Sequence, residues 1–274
     1  MSFAALFLIS VVAGFIGAMA GMGGGVVLVP VLTFFGLPIK EVIAISIVSV
    51  IATSSGAASA YVRDHITNLK VGMFLEMFTM SGAIIGAMIT VVTRQRYLYI
   101  MFGLVLLISW IVMWFNHGEF VPETIPDRFS RWLELHGSYY DQAAGKTIEY
   151  SARRAYLGGP MMFGAGLIAG LLGIGAGALK VLVMDLVMGL PAKVSTTTSN
   201  LIIGVTGLAG ASVYLAAGLI HPELATPIII GIVAGAFLGT RILVRLHNRT
   251  IHQFFLFILA ILAIEMLYKG IRGL

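Results

Sequence analysis

The chain has 274 residues, of which 59% are hydrophobic and only 11% charged, with a mean hydropathy of +1.00. A water-soluble domain carries about a quarter charged residues, so this composition excludes one and makes lipid the main solvent. The net charge of +5 is then read as loop charge facing anionic headgroups rather than nucleic acid, and zero cysteines exclude disulfides, thiolate metal sites and cysteine chemistry.

Backbone polar groups in lipid must be paired within the element, which leaves helices or a closed barrel. The apolar runs are long and lack period-2 alternation, so the fold class expected is all-α. In chain order they fall at about 3–36, 41–62, 70–93 and 97–116, then 157–189, 193–217, 224–246 and 251–270, about eight segments of membrane-spanning length. The first, which opens directly on apolar sequence with no basic leader, is read as a retained membrane helix.

The first and fifth runs are too long for one straight span. About 33 residues at ~1.5 Å each is near 50 Å, against a hydrocarbon core of about 30 Å. Each holds a glycine cluster, Gly21-Met22-Gly23-Gly24-Gly25 and Gly173-Ile174-Gly175-Ala176-Gly177, and each then reaches a Gly-Leu-Pro turn at Gly36-Leu37-Pro38 and Gly189-Leu190-Pro191. A helix broken at the glycines, or a helix followed by a re-entrant piece, fits the length.

Between the fourth and fifth runs lies the polar stretch 116–154. It mixes Glu119, Glu123, Asp127, Glu134, Asp141 and Glu149 with Arg128, Arg131, Lys146, Arg153 and Arg154, and holds Trp132, Tyr139, Tyr140 and Tyr150. It reads as a short interfacial helix or as a solvated linker. Three units follow: a first membrane repeat over 1–116, the linker over 117–155 and a second repeat over 156–274.

The repeat is internal. A shift of 153 positions superposes Gly36, Leu37, Pro38 and Lys40 on Gly189, Leu190, Pro191 and Lys193. The same shift matches Ser46 with Ser199, Thr53 with Thr206, Tyr61 with Tyr214, Gly82 with Gly235 and Arg96 with Arg249. Duplicated helical halves are a mark of transporters, with the substrate site where the halves meet.

At these residues the chain resembles the TauE/SafE family of sulfite exporters. The likeness rests on the span from Gly21 to Lys40 and on its counterpart from Gly173 to Asn200, which includes Lys193-Val194-Ser195-Thr196-Thr197-Thr198-Ser199-Asn200. Tyr214, Gly218, Gly235 and Gly239 extend it over nearly the whole chain outside the linker. The resemblance implies export of small sulfur-containing anions such as sulfite or organosulfonates. Two departures stand out: Ala176 where a third adjacent glycine is usual, and no proline answering Pro30 in the second half.

Several residue sets bear on an anion site. A helix broken in the membrane frees backbone N–H groups and aims a positive dipole end into the gap, so Gly23, Gly24, Gly25, Gly175 and Gly177 are candidates for binding without side-chain charge. Gly82/Gly86 and Gly235/Gly239, spaced by four, read instead as close-packing seams. Ser46, Thr198, Ser199 and Asn200 offer donors that either replace an oxyanion's hydration or cap and cross-link helices. Lys180, in an apolar run, must face the interior or water, with an anionic substrate or Asp185 as partner. Glu76 and Asp185 are candidates for carrying a coupling proton. Glu265 beside Lys269 reads as interfacial.

No His-x-x-x-His pair occurs, and the six histidines fall near segment ends or in the linker, so metal and haem sites are disfavoured. No cofactor and no enzymatic activity are implied; the expected partners are the bilayer and a small anion, and a homodimer is compatible with the pattern. A proton- or cation-coupled importer and a non-transporting assembly subunit remain open. So does the relation of the repeats: four crossings per half make them parallel, whereas a re-entrant piece inverts them. Four crossings would group Lys40, Arg94 and Arg96 with Lys193, Arg245 and Arg249 at one face.

Overall fold

In the computed structural model the residues described are 3–20, 24–63, 67–115, 127–141, 146–243 and 248–272. The over-long first run is two helices, α1 (Phe3–Ala20) and α2 (Gly25–Phe34), and α3 (Ile39–Arg63), α4 (Leu69–Val92) and α5 (Gln95–Phe115) complete the first half. The fifth run likewise divides into α7 (Ala155–Leu172) and α8 (Gly177–Leu182), the latter continued by a π-helical turn, Val183–Val187. Then come α9 (Ala192–Ala216), α10 (Pro222–Leu243) and α11 (Asn248–Arg272). The chain is thus a polytopic α-helical membrane protein, with leucines, phenylalanines and isoleucines such as Leu8, Phe237 and Ile264 exposed towards the lipid.

The linker contains a short helix, one of the two readings open from sequence, and a strand pair that neither reading included. It holds a five-residue helix, α6 (Arg128–Trp132), and an antiparallel hairpin of β1 (His136–Asp141) and β2 (Lys146–Ser151). Burial alternates along β1, with Tyr139 buried and Tyr140 exposed. Asp127 opens α6: burial raises its carboxyl, but hydrogen bonds from the Ser130 hydroxyl and the Arg154 N–H outweigh that and hold it below the usual range.

The two glycine-broken runs are hairpins, not kinked spans. After α7 the chain turns back, and the Arg153 N–H, just before α7, donates to the carbonyl of Met188, just past α8 and its π turn (2.9 Å). Gly158, in the first turn of α7, faces the Met188 side chain. The first half does the same. Gly231 packs on Phe7 and Ser10, and Gly235 on Val11 and Phe15, so α10 runs parallel to α1 and both start at one end. His221, beside the start of α10, reaches Glu41 at the start of α3. α3 therefore begins where α1 began, and α2 is the return stroke.

The halves interlock by a two-fold relation. α1 packs on α10 as α7 packs on α4, while α3 meets α9 and α5 meets α11. Equivalent helices that meet across the axis run antiparallel. Ile47 and Ile51 of α3 approach Gly210 and Gly207 of α9 respectively, and Arg96 and Gly103 of α5 approach Gly270 and Leu267 of α11. An axis along the membrane normal keeps such mates parallel; an axis in the membrane plane reverses them. The repeats are inverted.

Inversion corrects the loop grouping that four crossings imply. Lys40 donates to the Val91 carbonyl and Arg96 to that of Gly270, so Lys40, Arg94, Arg96, Lys269 and Arg272 share one end. Lys193, at the start of α9, shares the other with Lys70 and the hairpin. Close approach rests on small residues, as the spacing of four anticipates. A Cβ on Gly82, Gly86 or Gly235 would fall 2.2, 2.1 or 2.0 Å from a carbonyl oxygen of the facing helix.

Candidate functional site

The turn between α7 and α8 is built by left-handed residues. Gly173 (φ +67°) and Gly175 (φ +69°) adopt that conformation without strain, whereas Ala176 (φ +47°) pays for its Cβ. Ala176 is the position where a third glycine was expected, and the strain sits at the tip. Gly173 has a second constraint, since a Cβ there would lie 2.5 Å from the Ile43 carbonyl oxygen.

A helix that stops inside the bilayer leaves carbonyls at its C-terminus without partners. In α7 side chains from three other helices supply them. The hydroxyl of Tyr214 (α9) donates to the Gly170 carbonyl, that of Thr90 (α4) to Leu171 (2.7 Å) and that of Ser46 (α3) to Gly173 (2.9 Å). The 153-residue repeat pairs Tyr214 with Tyr61 without giving it a role, and nothing in the sequence singles out Thr90. A single buried tyrosine in a small-residue helix was the available signal.

The two tips meet. A Cβ on Gly25 would come 2.7 Å from the Gly173 carbonyl oxygen and 2.5 Å from Ser46 Oγ. Val26 at the start of α2, and Ala176 and Gly177 at the start of α8, line one crevice with Ser109 of α5. Both return helices thus begin at the same place, where first-turn N–H groups have no partner within their own helix. The crevice measures about 20 Å³, room for roughly one water, so a sulfonate needs the halves to move apart. Ser199 flanks it, donating to the Gly177 carbonyl (3.3 Å).

Of the residues singled out from sequence, Gly24, Gly25, Ser46, Gly175, Gly177 and Ser199 gather at these tips. Gly23 lies outside the described residues. Thr198 and Asn200 sit apart: the Thr198 hydroxyl accepts from the Asn68 N–H (3.2 Å) ahead of α4, and the half-buried Asn200 amide donates to the Thr196 carbonyl (3.1 Å).

Lys180 is fully buried, one turn beyond Gly177. Of the two partners open from sequence, an anionic substrate or Asp185, Asp185 is not met. The ammonium donates to Thr206 Oγ1 (2.8 Å), which stands 3.1 Å from Glu76 Oε1 and 3.4 Å from Oε2, with Thr79 Oγ1 also at 3.1 Å. Helical direction keeps Asp185 away, since residues five apart lie on different faces. Asp185 falls in the π turn, where its carboxyl faces the Ser195 hydroxyl, yet neither Asp185 Oδ1 nor Ser195 Oγ has a partner at ordinary hydrogen-bond geometry. Glu265 pairs with Lys269 (3.1 Å) near the end of α11.

Comparison with known proteins points to membrane transporters. The family model described as "Sulfite exporter TauE/SafE" matches residues 6–266. The chain is 26% identical over 280 residues to the probable membrane transporter protein YunE of Bacillus subtilis, covering 99% of each. It is 26% identical to the probable membrane transporter protein MamO of Paramagnetospirillum magneticum, covering 96% of this chain and 44% of that one. Over 87 residues it is 29% identical to the probable membrane transporter protein ORF9 of a Sinorhizobium species, covering 32% of this chain and 33% of that one. No solved structure matches.

Proposed function

The chain belongs to the sulfite exporter TauE/SafE family, a multi-pass membrane transporter of the cell membrane, and on that footing we propose that it exports small sulfur-containing anions, sulfite or organosulfonates, by alternating access. The anion sits between the glycine tips, held by first-turn N–H groups of α2 and α8, while the Ser46 and Ser199 hydroxyls border it and mask the Gly173 and Gly177 carbonyls. Thr198 and Asn200 lie nearer one mouth and meet the anion on entry or exit.

The observation carrying this reading is the meeting of Gly25 with Gly173 beside a crevice shared by Val26 and Gly177. An oxyanion has several acceptor oxygens and no donors, so it matches a place where amide donors converge. The α7 carbonyls, which would repel an anion, are occupied by the hydroxyls of Tyr214, Thr90 and Ser46. Inverted repeats supply the motion: the same contacts exchanged between the halves open the site first to one face and then to the other.

A thermal-shift panel on detergent-purified protein tests the substrate class, with sulfite, thiosulfate, sulfate, sulfoacetate and simple carboxylates as probes. Counterflow in proteoliposomes then tests transport. Stabilisation by the sulfur oxyanions above the carboxylates is the expected result. Equal or no response across the panel removes this substrate class.

A further inference from the structure

The cluster around Thr206 has no need to exist for the fold. In the inverted half, the positions equivalent to Glu76 and Thr79 under the 153-residue shift are Ile229 and Ile232, that of Lys180 is Val27 or, with the glycine clusters in phase, Leu28, and only Thr206 has a polar counterpart, Thr53. Val27 and Ile232 are buried in the core. Well-packed apolar residues therefore satisfy the same scaffold on the other side. Burying opposite charges often gains nothing over such packing, so the pair calls for a use.

Resting on the anion-transporter reading above, we propose that Glu76 and Lys180 couple each anion to one proton. In the structure the ammonium and the carboxylate share the Thr206 hydroxyl, whose single proton also has the Ile202 carbonyl (2.6 Å) and Thr79 (3.1 Å) within reach. Lys180 is the charged group acting on Glu76, and Glu76 the one acting on Lys180, among the described residues. From α7, which packs on α4 here, Gly166 faces Thr79. From α9 come Thr206 and Ile202, neither of which titrates. Asp185, further along α8, faces Ser195 instead.

Lys180 lies one turn from the crevice, on the same return helix as Gly177. An anion that draws on the Lys180 charge leaves the Glu76 carboxylate as excess negative charge in a low-dielectric interior, where like charges are costly. The carboxylate then takes a proton from hydronium on the loading side, so that one O–H bond forms on Glu76 as one breaks on hydronium, leaving water. Lys180 ammonium, anion and neutral acid together carry no net charge, as the ion pair did before. On the far side the anion leaves, the proton returns to water and the ion pair re-forms. Anion and proton move in the same direction, one for one with a monovalent anion.

The test uses full-length protein in liposomes loaded with pyranine, with methanesulfonate and thiosulfate as probes because both stay ionised at neutral pH, so any proton reported is carried by the protein. Wild type is expected to acidify the lumen as methanesulfonate enters, near one proton per anion. Glu76→Gln is expected to lower the proton-to-anion ratio at least ten-fold, whatever anion flux remains. Where that variant does not fold, Glu76→Gln combined with Lys180→Met leaves no lone buried charge and is expected to carry no protons. Wild-type anion flux without proton movement, or an unchanged ratio in Glu76→Gln or in the paired variant, overturns the coupling while the transporter reading stands. No flux of any anion in folded wild type overturns both.

Discussion

Gly25 and Gly173 come from opposite halves of the chain, yet a Cβ on Gly25 would stand 2.7 Å from the carbonyl oxygen of Gly173. Backbone cannot retreat there, because the same Cβ would press on Ser46 Oγ and on Val50. Gly25→Ala is therefore expected to separate the tips, costing about 1–3 kcal/mol and cutting anion counterflow at least ten-fold. Gly164 of α7, with nothing within 4 Å of an added Cβ, supplies the contrast. Gly164→Ala is expected to be neutral or to stabilise by up to about 1 kcal/mol, with flux preserved. Thermal unfolding read beside counterflow separates the two cases.

The carbonyls at the end of α7 make a second prediction. Ser46→Ala and Thr90→Val each remove a hydroxyl that supplies one of these buried carbonyls. Each is expected to lower stability by about 1–3 kcal/mol, the cost of stranding a buried acceptor. Tyr214→Phe keeps the ring of a fully buried residue and loses the hydroxyl that donates to Gly170 and meets Thr90. A drop of similar size in Tyr214→Phe identifies the hydrogen bond, not the ring, as what holds the tip. No change in unfolding temperature for all three variants would show that water replaces these donors.

Much of this architecture is legible in the residues alone, for definable reasons. Over-long apolar runs with central glycines can be only broken helices, and the 153-residue repeat pairs Ser46 with Ser199, both of which lie at the tips. Direction was not legible. Whether α2 and α8 continue or turn back is set by contacts such as Arg153 with Met188, distant in sequence, and parity decides whether the repeats are inverted. Partners of long side chains were also hidden. Lys180 has Asp185 close in sequence, but its neighbours Thr206 and Glu76 come from α9 and α4. The hairpin was masked by a tyrosine-rich composition that suits an interface equally well.

Inverted repeats place the equivalent residues Arg96 and Arg249 at opposite membrane faces. The end holding the hairpin carries Lys70, Arg128, Arg131, Arg153, Arg154 and Lys193, and the element ends there add Arg63, Lys146, Arg241 and Arg249. The other end has Lys40, Arg94, Arg96, Lys269 and Arg272. Basic residues in short loops favour the cytoplasm, so the hairpin is expected inside. The chain has no cysteine, which makes single-cysteine labelling clean. In intact cells Glu223→Cys is expected to react with an impermeant maleimide, and Ser138→Cys only after permeabilisation. Both reacting from the same side would refute the inverted arrangement.

Asn68 ties the hairpin to the membrane helices through every polar group it has on that side. Its Oδ1 accepts from the Val71 N–H (3.0 Å), capping α4, while its Nδ2 donates to the His136 carbonyl (3.2 Å) and to the Tyr150 hydroxyl (3.0 Å). Its own N–H donates to Thr198 at the start of α9. Asn68→Ala loses a cap worth about 1 kcal/mol and strands a buried tyrosine hydroxyl, for a total of about 2–3 kcal/mol. Asn68→Asp keeps the cap but offers the hydroxyl and carbonyl no amide donor, and is expected to fall between. Beside it Lys70 meets Glu134 (2.6 Å) at the surface, and the ammonium holds that carboxyl below its usual range. A depressed carboxylate helps above its unfolded-state pKa and stops helping as pH falls through the folded one, so this tether weakens in acid. Limited proteolysis of the hairpin reads both effects. Cleavage is expected to be faster in Asn68→Ala than in wild type at neutral pH, and Lys70→Met is expected to remove the acid dependence without matching the Asn68→Ala rate. Equal cleavage in all three would mean that the hairpin is seated by Tyr139, Tyr150 and Leu135 packing alone.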